Sequence, residues 1–353
     1  HIHRQALETY DPDDLNYEEL KQWTESQLVK RGIDRNDREK KKEETKIFWI
    51  IKYPQIISAG EHHSCAIRAD GTAKCWGNND HGQRDVPADL GPLSQIAAGS
   101  YHTCAIRADG TAKCWGFNSD SQRDVPADLG PVSQIAAGAY HICAIRTDGT
   151  AKCWGGRNSY GQTDVPADFG PLSQISAGRY HTCAIRADGT TKCWGDNDYG
   201  QSDVPTDLGP VSQIAAGAYH TCAIRADGTA KCWGKNDYGQ SDVPTDLGPL
   251  SQIAPGYQHT CAIRADDGTA KCWGNNSYDQ RDVSADLGPV SQIAAGIYHT
   301  CAIRADGTAK CWGDNDFGQR DVPADLGPVL QRSLKSTNKS NNSIVLSKIY
   351  LKI

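Results

Sequence analysis

"HTCAIRADGTAKCWG", residues 102–116, sets Cys104 and Cys114 on either side of an Ala-Asp-Gly turn. Before the turn, His102, Cys104 and Ile106 fall on one side of an extended chain, and Thr103, Ala105 and Arg107 on the other. That is the two-residue period of a strand. Asp-Gly between two such runs signals a hairpin. A three-residue loop Ala108-Asp109-Gly110, with glycine in the left-handed position, fixes the register. Arg107 then faces Thr111, Ile106 faces Ala112, and Cys104 faces Cys114.

The stretch occurs seven times. The first cysteines are Cys65, Cys104, Cys143, Cys183, Cys222, Cys261 and Cys301, at steps of 39, 39, 40, 39, 39 and 40 residues. The two longer steps come from an extra residue after Trp154 and from the doubled Asp266-Asp267, both at expected loops. Each unit also carries a short apolar run ("VSQIAAG", 132–138) before the hairpin. A Pro- and Gly-bearing connection ("DVPADFGP", 164–171) follows it. Units of three to four short antiparallel strands repeating at about 40 residues are the signature of a β-propeller. One such unit buries too little surface alone, so the units must stack in a ring. The sequence therefore predicts an all-β, seven-bladed propeller over 51–331, with repeats starting near 54, 93, 132, 172, 211, 250 and 290. Residues 1–50 read as a helical and charged extension, with an Asp-Pro helix start at Asp11 and a charged run from Asp34. Residues 332–353 read as a disordered polar tail.

All 14 cysteines fall into facing pairs: Cys65 with Cys75, Cys104 with Cys114, Cys143 with Cys153, Cys183 with Cys193, Cys222 with Cys232, Cys261 with Cys272, and Cys301 with Cys311. Directly opposed strand residues come close enough for disulfides, and none is left over. Two alternatives stand beside that reading: buried thiols serving as small apolar side chains, and zinc. Zinc is disfavoured because no C-x-x-C is present and each hairpin offers one nearby histidine. Pairing implies an extracellular or secretory compartment; free thiols imply a cytoplasmic or nuclear one.

The chain has 353 residues and a formal net charge of −6, against a general nucleic-acid binder. No run approaches the ~18 apolar residues of a membrane span. The chain opens at His1 and contains no Met, so a fragment or processed product is expected.

The pattern "AGxYHTCAIRADGTAKCWGxNxxGQ" resembles the regulator of chromosome condensation repeats, and all seven units share it. Its short period and recurrent "DVPAD" are most similar to the compact branch that includes a β-lactamase inhibitor protein. That resemblance implies three-stranded blades and a protein-binding platform. The longer branch implies alternatives: guanine-nucleotide exchange on a small GTPase, or attachment to a ubiquitin ligase. The cysteine pairs replace positions that are plainly apolar in the family.

No nucleophilic triad, phosphate loop or acid–base pair stands out, so no enzyme activity and no cofactor is expected. The recurrent histidines (His63, His102, His141, His181, His220, His259, His299) read as framework. "DNDYGQSD", 196–203, lacks the full spacing of a calcium loop. Comparing the copies is more informative, because two short stretches vary. One follows "AG" (Glu61-His62, Ser100-Tyr101, Ala139-Tyr140, Arg179-Tyr180, Ala218-Tyr219, Tyr257-Gln258, Ile297-Tyr298). The other follows "WG" and carries His81, Asp120, Tyr160, Tyr199, Tyr238, Tyr278 and Phe317 at matched positions. Candidate binding residues are Phe117, Tyr160, Tyr199, Tyr238, Tyr278, Phe317, Arg157, Arg179 and Lys235, the composition of a protein-binding hot spot. A protein is the expected partner; a carbohydrate is the alternative, and tyrosines that merely cap the blade edges are a third reading.

Overall fold

The computed structural model describes residues 55–330; the expected N-terminal helices and disordered tail lie outside them. The described residues form seven antiparallel sheets of three strands each, in chain order from inside to outside. In blade 2 the inner, middle and outer strands are Leu93–Ala98, His102–Arg107 and Ala112–Gly116. The register is the one the loop length dictates: Ile106 pairs with Ala112 and Cys104 with Cys114. The Asp109 side chain pins the turn by accepting from the Thr111 amide (2.8 Å) and hydroxyl (2.7 Å).

Each expected cysteine pair is a disulfide with Cα atoms 4.0–4.1 Å apart, and no described cysteine is free. Cys75 is bonded to Cys65, Cys114 to Cys104, Cys153 to Cys143 and Cys193 to Cys183. Cys232 is bonded to Cys222, Cys272 to Cys261 and Cys311 to Cys301. The doubled Asp266-Asp267 lengthens the loop of blade 6 to a separation of 11 residues without disturbing the pair. The two sulfurs of a bridge are not equally placed. Every middle-strand cysteine is fully buried, whereas the outer-strand Cys153, Cys193, Cys232, Cys272 and Cys311 are only partly so. Free thiols and zinc are both set aside by this pairing.

Apolar packing lies between blades. Cys183 and Ile185 of blade 4 pack with Leu208, Val211, Ile214, Ala223 and Trp233, contributed by the connection and blade 5. Inner strands are joined through side-chain amides. The Gln95 carboxamide accepts from the Ile135 amide (3.0 Å) and donates to its carbonyl (2.9 Å), extending the backbone ladder around the axis. Gln292 accepts from the amides of Ile56 and Ile57 and so links blade 7 to blade 1. The ring is completed inside blade 1. Val329 pairs with Arg68, the place that Leu93 takes beside Arg107 in blade 2. Ala69 donates to Pro328 and Leu330 to Ile67, both at 2.9 Å.

Glycine is required where inner strands turn out of the axis. A Cβ on Gly99 would stand 2.5 Å from the Gly138 carbonyl and 2.4 Å from the His102 ring. Beside these turns the recurrent histidines form a belt, each fully buried. His181 Nε2 lies 2.9 Å from Thr221 Oγ1 of the next blade, whose hydroxyl donates to the Gln201 carbonyl (2.9 Å). The hydroxyl has one proton, so the imidazole must donate from Nε2. The same relay runs through Thr103, Thr182, Thr260, Thr300 and, at the closure, Ser64. It fails once: Ile142 occupies the threonine position, and both ring nitrogens of His102 lack a partner.

The same blade holds the inserted glycine. Its outer strand ends at Trp154 and its middle strand starts at Ile142, each one residue short of the pattern. Gly156 donates to Asp120 of blade 2 (2.9 Å), where the residue at this place in each of the other six blades donates to the carbonyl of its own blade's inner turn. The insertion is in a loop, as the sequence indicates, and the end pair that His102 and Gly116 make in blade 2 has no counterpart between His141 and Gly155.

Candidate protein-binding face

Both variable stretches open at the same end of the blades, and their side chains touch across blade boundaries. Tyr160 of blade 3 packs on Tyr180 of blade 4 (ring centroids 5.2 Å apart), Tyr199 on Tyr219 (5.4 Å) and Tyr278 on Tyr298 (4.7 Å). Phe317 meets His62 across the closure (4.7 Å). The turns nearer the axis also meet one another: Tyr140 stacks on Tyr180 (5.3 Å, 11° between planes), and Tyr257 bridges Tyr219 and Tyr298.

The outer loops are braced by their own hydrogen bonds. In blade 4 the Tyr199 amide donates to Gln201 Oε1 (2.9 Å), Ser202 N donates to Asn197 Oδ1 (2.8 Å), and Asn197 Nδ2 donates to Asp203 Oδ1 (2.8 Å). Gly200, at φ +75°, turns the chain between them. Corresponding bonds hold Tyr160, Tyr238, Tyr278 and Phe317, which stay 44–50% exposed. These rings are therefore displayed on stiff loops and lose little freedom when covered.

Cations sit among the rings. The Arg179 guanidinium lies 5.6 Å from the centroids of Tyr180 and Tyr219 and 5.8 Å from that of Tyr257. Lys235 Nζ lies 4.5 Å from the Tyr199 centroid and 3.2 Å from the Asp237 carboxylate. Arg157 reaches Asp120 at 3.5 Å across the seam between blades 2 and 3, with its side chain 87% exposed. Burial pushes the hydroxyls of Tyr140 and Tyr219 up to about 12, so both keep their protons at neutral pH.

Of the nine candidates, Tyr160, Tyr199, Tyr278, Phe317, Arg179 and Lys235 share ring contacts with the turns nearer the axis. Tyr238 has no ring neighbour, because Gln258 stands where the next blade would offer a tyrosine. Phe117 is half-buried against His81 and Tyr101 and presents less surface. The axial tyrosines Tyr140, Tyr180, Tyr219, Tyr257 and Tyr298 belong to the same surface. Their signal was variation beside "AG", which marks a loop without showing what it touches. Among the described residues no cluster of three metal-ligating side chains is present, and Asp196 is buried, accepting from the Asp198 amide.

The regulator of chromosome condensation (RCC1) repeat model matches residues 55–83, 93–122, 132–162, 172–201, 211–240, 251–280 and 290–319. Those matches cover more than half of the chain, which belongs to this family. No curated protein matches the sequence. Among solved structures it is similar to the ectodomain of the Physcomitrella patens receptor kinase CR4, at 26% identity and TM-score 0.63 over 73% of this chain and 72% of that one. It is also similar to the ectodomain of the Arabidopsis thaliana receptor kinase ACR4, at 25% identity and TM-score 0.61 over 73% and 95%. Yeast RCC1 (Prp20), solved bound to Kap60, shares the fold at 17% identity and TM-score 0.61 over 78% and 83%. Propellers of this family are generally binding or exchange-factor proteins. Seven bonded cysteine pairs point to an oxidising environment. No helix among the described residues is long and apolar enough to cross a membrane.

Proposed function

We propose that this propeller is a non-enzymatic protein-binding module of the extracellular or secretory space, acting through its aromatic loop face. One observation carries the reading: tyrosines from the two variable stretches of neighbouring blades pack on braced loops into two clusters that Arg179 bridges, their outer rings half-exposed. Aromatic rings with few rotatable bonds, interspersed with Arg and Lys, are the residues that dominate protein interfaces. The disulfides favour this setting over a reducing nucleus, and hence over GTPase exchange. Two of the similar structures are ectodomains of receptor kinases, which agrees with it.

The test is a screen of the full disulfide-intact chain against an array of secreted proteins and a parallel array of glycans. Partners are expected on the protein array, with binding lost in a Tyr199→Ala, Tyr238→Ala, Tyr278→Ala triple variant. Retention on glycans alone would make it a lectin. Accelerated nucleotide release from a small GTPase would move it to the exchange class.

A further inference from the structure

The position after the axial glycine is the most varied of the face: the seven copies carry Glu61, Ser100, Ala139, Arg179, Ala218, Tyr257 and Ile297 there. Only blade 4 puts a permanent cation at this point. At the other end of the strands, framework arginines have carboxylates to hand. Arg107, Arg146, Arg225 and Arg304 each lie within 4.0 Å of an Asp of the connecting segment. On the aromatic face, Arg157 and Lys235 have Asp120 and Asp237. Arg179 has no carboxylate within 4.0 Å among the described residues, and its buried Nε lacks a hydrogen-bond partner.

Its environment is nevertheless ordered. Three tyrosine rings surround the guanidinium, and a planar cation held against aromatic faces loses little freedom on binding. A half-buried guanidinium without an anion is charge-complementary to a carboxylate, which it receives in a forked, two-bond geometry. The Tyr140 and Tyr219 hydroxyls are already hydrogen-bonded to Tyr180 and Tyr257, which leaves the guanidinium as the donor for an incoming carboxylate. Glu61, on the equivalent inner turn of blade 1, acts together with Arg179 on the hydroxyls of Tyr101, Tyr140 and Tyr298 but makes no ion pair with the guanidinium.

We infer that Arg179 is the anchoring point of the face and that the partner is a protein presenting an Asp or Glu side chain to it, flanked by apolar residues that cover the tyrosines. This rests on the protein-binding reading above and adds the chemistry of the partner.

The test uses an array of randomised hexapeptides probed with the full, disulfide-intact chain, with Arg179→Gln and Arg179→Lys, and with Lys192→Gln on the outer strand of blade 4 (Thr191–Gly195), away from the face. Circular dichroism melting of each variant checks the fold. Retained peptides are expected to be enriched in Asp and Glu beside apolar residues. Arg179→Gln should weaken the acidic binders roughly 10- to 100-fold, the loss of one charge-assisted contact. Arg179→Lys should fall between, and Lys192→Gln should bind like the parent. Retained peptides that are basic or uncharged, or an acidic preference unchanged in Arg179→Gln, would overturn the inference. If the tyrosine triple variant then still abolishes retention, the protein-binding reading survives without it. No retention, or retention indifferent to both sets of variants, would overturn the two together.

Discussion

Ile142 stands against the imidazole of His102 at the one interruption of the belt that ties each blade to the next. Elsewhere a threonine or serine hydroxyl receives the histidine N–H and passes its own proton to a glutamine carbonyl. Thr221→Val, nearly isosteric, therefore leaves the buried His181 Nε2 unpaired, while the Gln201 carbonyl keeps its bond from Trp233 Nε1 (3.0 Å), and should cost about 1–3 kcal/mol. Ile142→Thr gives up buried apolar surface but supplies both missing bonds, so its net effect should be smaller than about 1 kcal/mol. Urea unfolding of the two variants decides the matter; equal losses would mean the belt contributes nothing.

Acid should unfold this protein earlier than its carboxylates alone would dictate. Burial, the largest cause, lowers His63, His141, His220 and His299 to about 3, and His102, His181 and His259 to about 4. Unfolded histidine titrates near 6.5, so below that pH the unfolded chain binds more protons and stability falls as pH falls. Each histidine removes up to about 1.4 kcal/mol per pH unit between 6.5 and its folded value. The turn aspartates Asp70 and Asp109, held low chiefly by the hydroxyls of Thr72 and Thr111, add their loss only below 3.8. Calorimetry should therefore show Tm dropping steeply from pH 6.5 to 4; a flat Tm there would contradict neutral buried histidines.

Two glycines should respond very differently to alanine. Gly99→Ala drives a methyl into a backbone carbonyl and a fully buried ring, and should cost about 3 kcal/mol or more. Gly91 has nothing within 4 Å of its virtual Cβ, and at φ +69° only left-handed strain of about 1–2 kcal/mol is expected. Thermal melts of the two single variants rank them.

Alkylation under non-reducing conditions should modify no thiol among the paired cysteines, even when iodoacetamide is in excess. Cys104 is fully buried, so native reduction should be slow and complete only in denaturant. A Cys104→Ala, Cys114→Ala double variant should lose at most about 3 kcal/mol, because the loop it closes is short. Mass spectrometry counts the labels. Fourteen labels without reductant would return the cysteines to core filler and remove the case for an oxidising compartment.

What sequence alone conveys follows from the range of each interaction. The hairpin register was legible because the Asp-Gly loop length fixes which residues oppose, and hence Cys104 against Cys114. Blade number was legible because a strand trio cannot bury itself. The expectation of three to four strands resolves to three. Hidden were relationships between units. Nothing in "GPVL" announces that Val329 will pair with Arg68, since that bond depends on the ring coming full circle. Nor does variation beside "AG" reveal that Tyr219 carries Tyr199 of the preceding blade, or that Arg179 has aromatic neighbours and no carboxylate. The relay from His181 to Thr221 was equally out of reach, for a recurrent histidine is legible as framework without its partner.

The fastening of Val329 onto Arg68 also determines how the ring bears load. Tension applied between residues 55 and 330 acts on blade 1 first, where the bonds from Ala69 to Pro328 and from Leu330 to Ile67 hold the incoming chain beside the middle strand. The other six blades are not unravelled until that clasp parts, so the resistance of the whole propeller to stretching is set largely by a few residues of one sheet.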